Sequence, residues 1–180
     1  MKKVLVIGGS GFLGSHTADE LTRRGYHVSL FDESESPWRT PEQVMHVGNI
    51  LDKNALDAAL GGIDVVYHFA GIADINESAE RPFDTINVNV SGTAQIIDAA
   101  VRARVKRFIY ASTIYVFSPF GSFYRASKQA AEIIIEAYNE QFDLDYTVLR
   151  YGSLYGPRAQ DWNGLRAYVK QIIRSGRLDY

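Results

Sequence analysis

The alternation of six short apolar runs with five stretches of helical periodicity constrains the fold of this chain more than any other feature of its sequence. The apolar runs are Val4–Ile7, His27–Phe31, Val44–Val47, Ile63–Phe69, Val105–Ala111 and Tyr146–Arg150. The helical stretches are Gly11–Arg24, Asp52–Leu60, Asp84–Ala103, Tyr124–Phe142 and Asn163–Ser175. Continuous apolar runs are typical of strands covered on both faces, and parallel strands need right-handed crossovers. The alternation therefore predicts an α/β fold, a doubly wound parallel sheet with helices on both faces.

Length and composition indicate a single globular domain. The chain has 180 residues, of which 46% are hydrophobic and 22% are charged, so disorder, collagen and coiled coil are excluded. A net charge of −2 gives no basic footprint for nucleic acid or for a membrane surface. No apolar run reaches the roughly 18–20 residues of a membrane span, and the segment from Met1 to Val4 shows no signal-peptide pattern. A cytoplasmic protein is therefore expected.

Side chains that bind metals are absent or scattered. The chain has no cysteine, which excludes disulfides, thiolate metal sites and thiol nucleophiles. Its histidines, His16, His27, His46 and His68, lack ligand spacing, so no metal is expected. His68 ends an apolar run and is expected to be packed and hydrogen-bonded in the core.

A glycine-rich turn follows the first predicted strand and opens the first predicted helix. Gly8, Gly11 and Gly14 have the spacing G-x-x-G-x-x-G, with Phe12 and Leu13 between the last two. Glycine permits positive φ and lets the backbone approach a pyrophosphate, and the start of a helix presents free N–H groups to phosphates. The turn therefore predicts a dinucleotide site, with a plain tight turn as the alternative.

Polar residues end the next two predicted strands. Asp32 lies 18 residues after Gly14, where a carboxylate can accept hydrogen bonds from both adenosine ribose hydroxyls. The same charge repels a 2′-phosphate, so Asp32 favours NAD over NADP; the alternative is a solvated loop acid. Asn49 follows the third strand and could hydrogen-bond the adenine, with Ile50 packing on the ring, or it could be an ordinary turn residue.

Tyr124 and Lys128 are four residues apart at the start of a predicted helix, so both lie on one face. An ammonium about 6 Å from a phenol contributes about 3 kcal/mol at an effective dielectric of about 20, which lowers the phenol pKa by about two and brings it toward working pH. Ser112 and Thr113 close the fifth strand, where a hydroxyl can orient a substrate oxygen against Tyr124. Taken singly, the pair could be surface residues and the hydroxyls a strand-end turn.

Together with further segments, these motifs resemble the extended short-chain dehydrogenase/reductase family, in its NAD-dependent nucleotide-sugar epimerase/dehydratase branch. The resemblance runs along essentially the whole chain. The matching segments are Gly8–Gly14, Asp32, Asn49–Ile50, His68–Gly71, Asn89–Thr93, Ser112–Thr113, Tyr124–Lys128 and Arg150–Pro157. The resemblance implies a Rossmann-like fold, NAD as cofactor, a nucleotide sugar as small-molecule substrate, and a homodimer formed through the helices Asp84–Ala103 and Tyr124–Phe142.

The same resemblance implies a role for each candidate residue. Tyr124 is expected to act as general base or acid, with Lys128 as its electrostatic partner. Ser112 or Thr113 is expected to orient the substrate. Asn89 is expected beside the active site, where it helps to hold the loop after the fourth strand. The remaining expected cofactor contacts are with the adenosine and pyrophosphate, from Phe69, Ala70 and Gly71, and with the nicotinamide, from Tyr151, Gly152 and Ser153.

Within this branch, one absence selects a reaction. Sugar 4,6-dehydratases carry an Asp-Glu pair after the strand-five threonine, and related decarboxylases carry a Glu, but here Ile114 and Tyr115 take those positions. Elimination needs a second acid/base, whereas a 4-epimerase needs only the Tyr/Lys pair, the hydroxyl and NAD. The chain is therefore expected to be a NAD-dependent nucleotide-sugar epimerase. The alternatives are a short-chain reductase of a small carbonyl substrate and a non-catalytic NAD-binding module.

The chain departs from the family pattern in two places. Only 12 residues lead from Ser112 to Tyr124, where sugar-modifying relatives carry a longer substrate-contacting loop. Family members also continue into a C-terminal domain that grips the nucleotide of the substrate, and this domain is expected to be missing or truncated here. Residues 1–180 are therefore expected to form one NAD-binding domain in which NAD binding survives better than catalysis.

Overall fold

In the computed structural model, which describes residues 2–178, a six-stranded parallel sheet separates two layers of helices. Its strands are β1 (Lys3–Ile7), β2 (His27–Asp32), β3 (Val44–Val47), β4 (Val65–His68), β5 (Arg107–Thr113) and β6 (Tyr146–Tyr151). Their order across the sheet is β3-β2-β1-β4-β5-β6, and each neighbouring pair is parallel. The strand order therefore reverses between β1 and β4, and sheets of this kind bind ligands at the carboxyl ends of the strands there.

Seven α-helices lie within residues 2–178. They are α1 (Phe12–Arg23), α2 (Lys53–Leu60), α3 (Ile75–Glu80), α4 (Pro82–Ile86), α5 (Thr93–Arg102), α6 (Ser122–Phe142) and α7 (Gly164–Ser175). A π-helical turn, Asn87–Gly92, joins α4 to α5, and a 3₁₀ turn, Ile114–Phe117, follows β5. In this described part of the chain, no helix is both long enough and apolar enough to cross a membrane.

Two apolar clusters hold the helices on opposite faces of the sheet. Leu5 and Ile7 of β1 enter the larger cluster, and Val4 and Val6 enter the smaller one, because successive side chains of a strand point to opposite faces. The larger cluster packs α2, α5 and α6 against one face, and the smaller one packs α1 against the other. The nearly complete burial of these β1 residues is what a continuous apolar run predicts.

The predicted α/β fold with a doubly wound parallel sheet is confirmed, and each predicted strand is present with ends that differ by a few residues. The single long helix predicted at Asp84–Ala103 is wrong in detail, because the structure divides that region into α4, the π turn and α5. Neither α3 nor the 3₁₀ turn was predicted. α3 has only 6 residues, and its start is set by Asp74, whose side chain accepts hydrogen bonds from the N–H groups of Asn76 and Glu77. So short a helix shows too little periodicity to be recognised.

Candidate functional site

The glycine turn is folded so tightly that two of its glycines leave no room for a side chain. Gly8 has φ +82°, and a Cβ on Gly8 would lie 2.6 Å from the backbone of the loop after β4. A Cβ on Gly14 would lie 2.0 Å from the carbonyl oxygen of Gly8, whereas one on Gly11 would lie 3.4 Å from that oxygen. Gly11 caps α1 in an extended conformation. The N–H groups of Phe12 and Leu13 therefore have no carbonyl of their own helix to bind and are available to an anion.

The carboxylate of Asp32 lies against the glycine turn. Its Oδ2 accepts a hydrogen bond of 3.0 Å from the backbone N–H of Ser10. The hydroxyl of Ser10 donates in turn to the carbonyl of Ser34 at 2.8 Å, so the turn is tied to the segment after β2. Asp32 is thus held at the carboxyl end of β2, beside the turn on which a dinucleotide was predicted.

Asn49 and Ile50, after β3, lie at the same edge of the sheet. The side chain of Asn49 donates to Glu33 at 2.7 Å and accepts from the N–H of Leu51 at 2.7 Å, so its amide forms a local turn. Ile50 is 6% exposed and belongs to the larger apolar cluster, where its Cδ1 lies beside Gly92. The side chain of Ile50 is therefore not available to pack on an adenine ring, contrary to the prediction, and only its backbone can take part.

The loop after β4 passes beside the glycine turn and is held by Asn89. Phe69 donates its backbone N–H to β1 at 2.8 Å, and Ala70 follows next to the turn. The side-chain amide of Asn89, which is 2% exposed, accepts from the N–H of Ile72 at 2.8 Å and donates to its carbonyl at 2.9 Å. Gly71 has φ +150°, and a Cβ there would lie 2.7 Å from Oδ1 of Asn89. A buried amide on the π turn therefore clamps this loop.

Thr113, Tyr124 and Lys128 converge at the carboxyl end of β5. Lys128 is 6% exposed, and its Nζ donates to the carbonyl of Ala111 at 2.9 Å. The same Nζ lies 5.9 Å from the ring centre of Tyr124 and 4.8 Å from that of Tyr110. Burial raises the pKa of Tyr124, while a side-chain hydrogen bond with Thr113 acts in the opposite direction. The structure thus brings a phenol, an ammonium and a hydroxyl together.

The protonation of this pair differs from what its spacing predicts. The spacing predicts a lowered pKa for Tyr124, but in the structure burial raises it. Burial also lowers the pKa of Lys128 to about 8. Both side chains lose hydration in the site, and for each of them this loss is the largest influence on the pKa. Without a cofactor Tyr124 is therefore a neutral phenol at neutral pH, and Lys128 has lost about half of its charge near pH 8.

Ser112 does not lie beside Tyr124. Its hydroxyl donates to Oε1 of Glu132 at 2.5 Å, and Oε2 of Glu132 accepts from Nη2 of Arg150 at 2.7 Å. Neighbouring residues of a strand point in opposite directions, so Thr113 is the hydroxyl that reaches the phenol. Neither Glu132 nor Arg150 was predicted as part of the site from the sequence. The position of Glu132 one helical turn after Lys128 could have indicated its proximity to the lysine.

A buried polar chain lies behind the pair. Nε2 of His68 and the hydroxyl of Thr93 are 2.9 Å apart, and that hydroxyl donates to the carbonyl of Asn89 at 2.6 Å. Nε2 is therefore the donor, and Nδ1 carries no proton. Asn89 also donates to Ser127 at 3.0 Å, which links the π turn to α6. Burial, together with the nearby Lys128, lowers the pKa of His68 to about 3. The expectation that His68 is packed and hydrogen-bonded is confirmed.

Acid is expected to destabilise the chain through His68. Its pKa is about 3 in the folded state and about 6.5 in the unfolded state, so the unfolded state alone binds a proton between those values. The free energy of unfolding should therefore lose about 1.4 kcal/mol per pH unit below pH 6.5, and His68 should have no effect above it. Lys128 adds no slope in this window because both states hold its proton there.

Urea unfolding at pH 7 and at pH 5 measures this effect in the wild type and in His68→Gln, which cannot titrate. The variant should be less stable at pH 7 but lose less stability on acidification, by about 2 kcal/mol. Equal losses in the two proteins would show that His68 is not the group responsible.

The end of β6 lies next to Thr113. Tyr151 is paired with Thr113 in the register of the two strands, and burial raises the pKa of Tyr151. A Cβ on Gly152 would lie 3.8 Å from Cδ1 of Ile114, which is ordinary contact. Tyr151, Gly152 and Ser153 therefore leave the sheet at the same edge as the hydroxyl of Thr113.

Comparisons with known proteins identify the family to which this fold belongs. Residues 4–177 match the model of the NAD dependent epimerase/dehydratase family. UDP-N-acetyl-alpha-D-glucosaminuronate decarboxylase from Bacillus cytotoxicus is 32% identical over 185 residues, covering 89% of this chain and 57% of the relative. UDP-glucose 4-epimerase from Thermotoga maritima, solved with UDP-glucose, is 25% identical with a TM-score of 0.89, over 96% of this chain and 63% of that one. UDP-glucose 4-epimerase from Thermus thermophilus, solved with NAD, is 28% identical with a TM-score of 0.85, over 93% and 60%.

The chain thus spans between 57% and 63% of the length of these relatives. The family model nevertheless covers nearly all of this chain, from the first strand to the segment after α7. The resemblance that the motifs indicate is confirmed, and the chain belongs to the NAD-dependent epimerase/dehydratase family.

Proposed function

We propose that this chain binds NAD across the carboxyl edge of its sheet. The residues present fit the cofactor, because the glycine turn exposes backbone where Cβ atoms would collide and the start of α1 offers free N–H groups to a pyrophosphate. Asp32 accepts hydrogen bonds from the adenosine ribose hydroxyls, and Asn49 with the backbone of Ile50 borders the adenine. Phe69, Ala70 and Gly71 are assigned to the adenosine and pyrophosphate, with Asn89 behind them. The residues assigned to the nicotinamide are Tyr151, Gly152, Ser153, Tyr124 and Lys128.

We further propose that the chain carries the catalytic centre of a nucleotide-sugar epimerase. The observation that supports this most is the convergence of Thr113, Tyr124 and Lys128 at the sheet edge that also carries the glycine turn. Bound NAD would supply reversible hydride transfer at the sugar carbon that bears the hydroxyl, with return of the hydride to the other face of that carbon. The base is the phenolate form of Tyr124, which Lys128 and the positive nicotinamide ring would stabilise once NAD is bound; it takes the hydroxyl proton and later gives it back, while Thr113 orients the oxygen.

Dehydration is disfavoured by the residues that follow Thr113. These residues are Ile114, which is 53% exposed, and Tyr115, whose ring packs edge-on against that of Tyr124 at 6.4 Å between ring centres. Neither side chain carries a carboxylate. Glu132 supplies no substitute, because its two oxygens are engaged with other side chains. Without a second acid/base, removal and return of a hydride is the reaction that these side chains can support.

A dehydrogenase or reductase of a small carbonyl compound is the second candidate. Phe117 and Phe120, in the short segment between β5 and α6, are 75% and 73% exposed. Exposed apolar side chains beside a catalytic centre suit a less polar substrate than a sugar. Turnover of a hydrophobic alcohol in preference to UDP-sugars would select this candidate over the epimerase.

We also propose that two copies of the chain associate through α4, α5 and α6. Phe83 on α4 is 78% exposed, and Ile133 and Phe142 on α6 are 65% and 53% exposed. A second copy would remove this apolar surface from water. Light scattering should give the mass of a dimer, and a monomeric mass would contradict the association.

Thermal-shift titration of the 180-residue chain with NAD and with NADP tests the binding proposal. At NAD concentrations of about 100 times Kd the stabilisation is about 2.7 kcal/mol, so Tm should rise by about 5–10 °C. NADP should give a much smaller rise, because its 2′-phosphate meets the carboxylate of Asp32. An equal response to the two would contradict the role of Asp32, and no response from nucleotide-free chain would contradict the site.

A further inference from the structure

We propose that Glu132 is a positioning residue whose carboxylate keeps Lys128 charged for Tyr124. The inference rests on the proposed function, in which the ammonium supports the phenolate. The three side chains follow one another at intervals of four residues on α6, so they lie along one face of the helix. Ser112 and Arg150 hold the carboxylate.

Burial opposes the charge of Lys128. Its Nζ donates to one backbone carbonyl and faces the ring of Tyr110, contacts that favour an ammonium but carry no full negative charge. His68 on β4 is neutral, and Tyr124 is a neutral phenol until it gives up its proton, so neither supplies a negative charge. Burial lowers the pKa of Lys128, and the charge of Glu132 is what acts in the opposite direction.

The charge of Glu132 is itself secured by its partners. Glu132 is 7% exposed, and burial opposes its ionisation, but hydrogen bonds from Arg150 and Ser112 outweigh burial and keep its pKa below the usual value. Arg150 donates from Nη2 at 2.7 Å and from Nε at 3.1 Å, and Ser112 donates at 2.5 Å. Lys128 and Glu132, on successive turns of α6, are thus hydrogen-bonded to adjacent residues of β5. Lys128 is bonded to the carbonyl of Ala111 and Glu132 to the hydroxyl of Ser112.

Two substitutions change the charge around Lys128 in opposite directions. Glu132→Gln removes a negative charge and should lower the pKa of Lys128 by about one pH unit. Arg150→Gln removes a positive charge and raises the pKa of Glu132, but Glu132 keeps its hydrogen bond from Ser112 and remains ionised near pH 8, where Lys128 titrates, so the pKa of Lys128 should rise. The titration is followed by ¹³C NMR of chain labelled at lysine Cε, with the signal assigned by Lys128→Arg. Glu136→Gln, which removes an exposed carboxylate one turn further along α6, is the control and should leave the titration unchanged.

Opposite shifts in the two variants would support the proposal. Loosened packing would move the Lys128 titration in the same direction in both variants, and that result would overturn it, as would an unchanged titration. If Glu132→Gln does not fold, Arg150→Gln decides, because the side chain of Arg150 is 40% exposed and belongs to neither apolar cluster. A pKa of Lys128 that fell or stayed constant in this variant would then overturn the proposal.

Turnover separates this proposal from the proposed function. In Glu132→Gln the alkaline limb of the kcat profile should move to lower pH with the Lys128 titration, so kcat at pH 8 falls about fivefold while KM and NAD affinity stay unchanged. An unshifted kcat profile would overturn the role of Glu132 in catalysis. The two variants could show opposite NMR shifts while the wild-type chain converts no UDP-sugar. That result would refute the proposed function and uphold the electrostatic link.

Discussion

Replacing Tyr124 by phenylalanine is expected to lower turnover about a thousandfold while NAD binding is almost unchanged. Proton transfer by a positioned side chain contributes about 10²–10⁴-fold to rate, and the phenol of Tyr124 is the group placed for it between Thr113 and Lys128. Phenylalanine preserves the ring, including its edge contact with Tyr115, and removes the oxygen that exchanges the proton. Conversion of UDP-glucose, followed by chromatography of the UDP-sugars, measures turnover, and a thermal shift with NAD measures binding.

Tyr115→Phe is the matched control for this experiment. It removes a phenol oxygen from the ring that packs against Tyr124, so it repeats the chemical change without touching the proposed acid/base. We expect turnover within about twofold of the wild type. A Tyr124→Phe variant that kept a tenth of the wild-type turnover would not be consistent with acid/base catalysis by this phenol. Equal losses in the two variants would indicate disturbed ring packing instead.

The parts of the fold and site that could be predicted from the sequence are those encoded by residues close together in the chain. Val4–Ile7 is buried on both faces, and a strand in that setting is a continuous apolar run in the sequence itself. Gly8–Gly14 follows this strand directly, so the turn and the start of α1 could be placed together. The interval between Tyr124 and Lys128 is fixed by the geometry of one helix, so their shared face could also be predicted.

The parts that could not be predicted depend on residues far apart in the chain. Ser112 and Glu132 are 20 residues apart, and nothing in the segment around Ser112 indicates which of two adjacent hydroxyls faces the phenol. Ile50 is drawn into the core by α5 and the π turn rather than by its neighbours in sequence. The pKa of Tyr124 likewise depends on burial, which an interval between two residues does not encode.

Gly14→Ala is expected to weaken NAD binding at least a hundredfold and to destabilise the chain by about 2 kcal/mol. A Cβ on Gly14 would lie 2.0 Å from the carbonyl oxygen of Gly8, and both partners are held by backbone, so the turn itself must move. Overpacking costs about 1–3 kcal/mol, and a contact of 2.0 Å belongs at the upper end of that range, so about 2 kcal/mol is left after the gain of about 1 kcal/mol that alanine brings to a helix. A displaced turn no longer holds its N–H groups against the pyrophosphate, and the loss of two hydrogen bonds to a charged group, each worth about 1.5–3 kcal/mol, weakens binding at least about a hundredfold.

Gly11→Ala distinguishes this collision from a general effect of losing a glycine. Its Cβ would meet the same carbonyl oxygen of Gly8 at 3.4 Å, an ordinary contact, and Gly11 does not have positive φ. Urea unfolding should therefore place Gly11→Ala within about 1 kcal/mol of the wild type, with Gly14→Ala clearly below both. Gly14→Ala could instead be as stable as Gly11→Ala and give the full thermal shift with NAD. The turn would then have space for a Cβ on Gly14, contrary to the structure. The tight turn that excludes a methyl group is also what brings the N–H groups of α1 within reach of a phosphate. That result would therefore remove the steric argument for a pyrophosphate lying against the backbone of the turn.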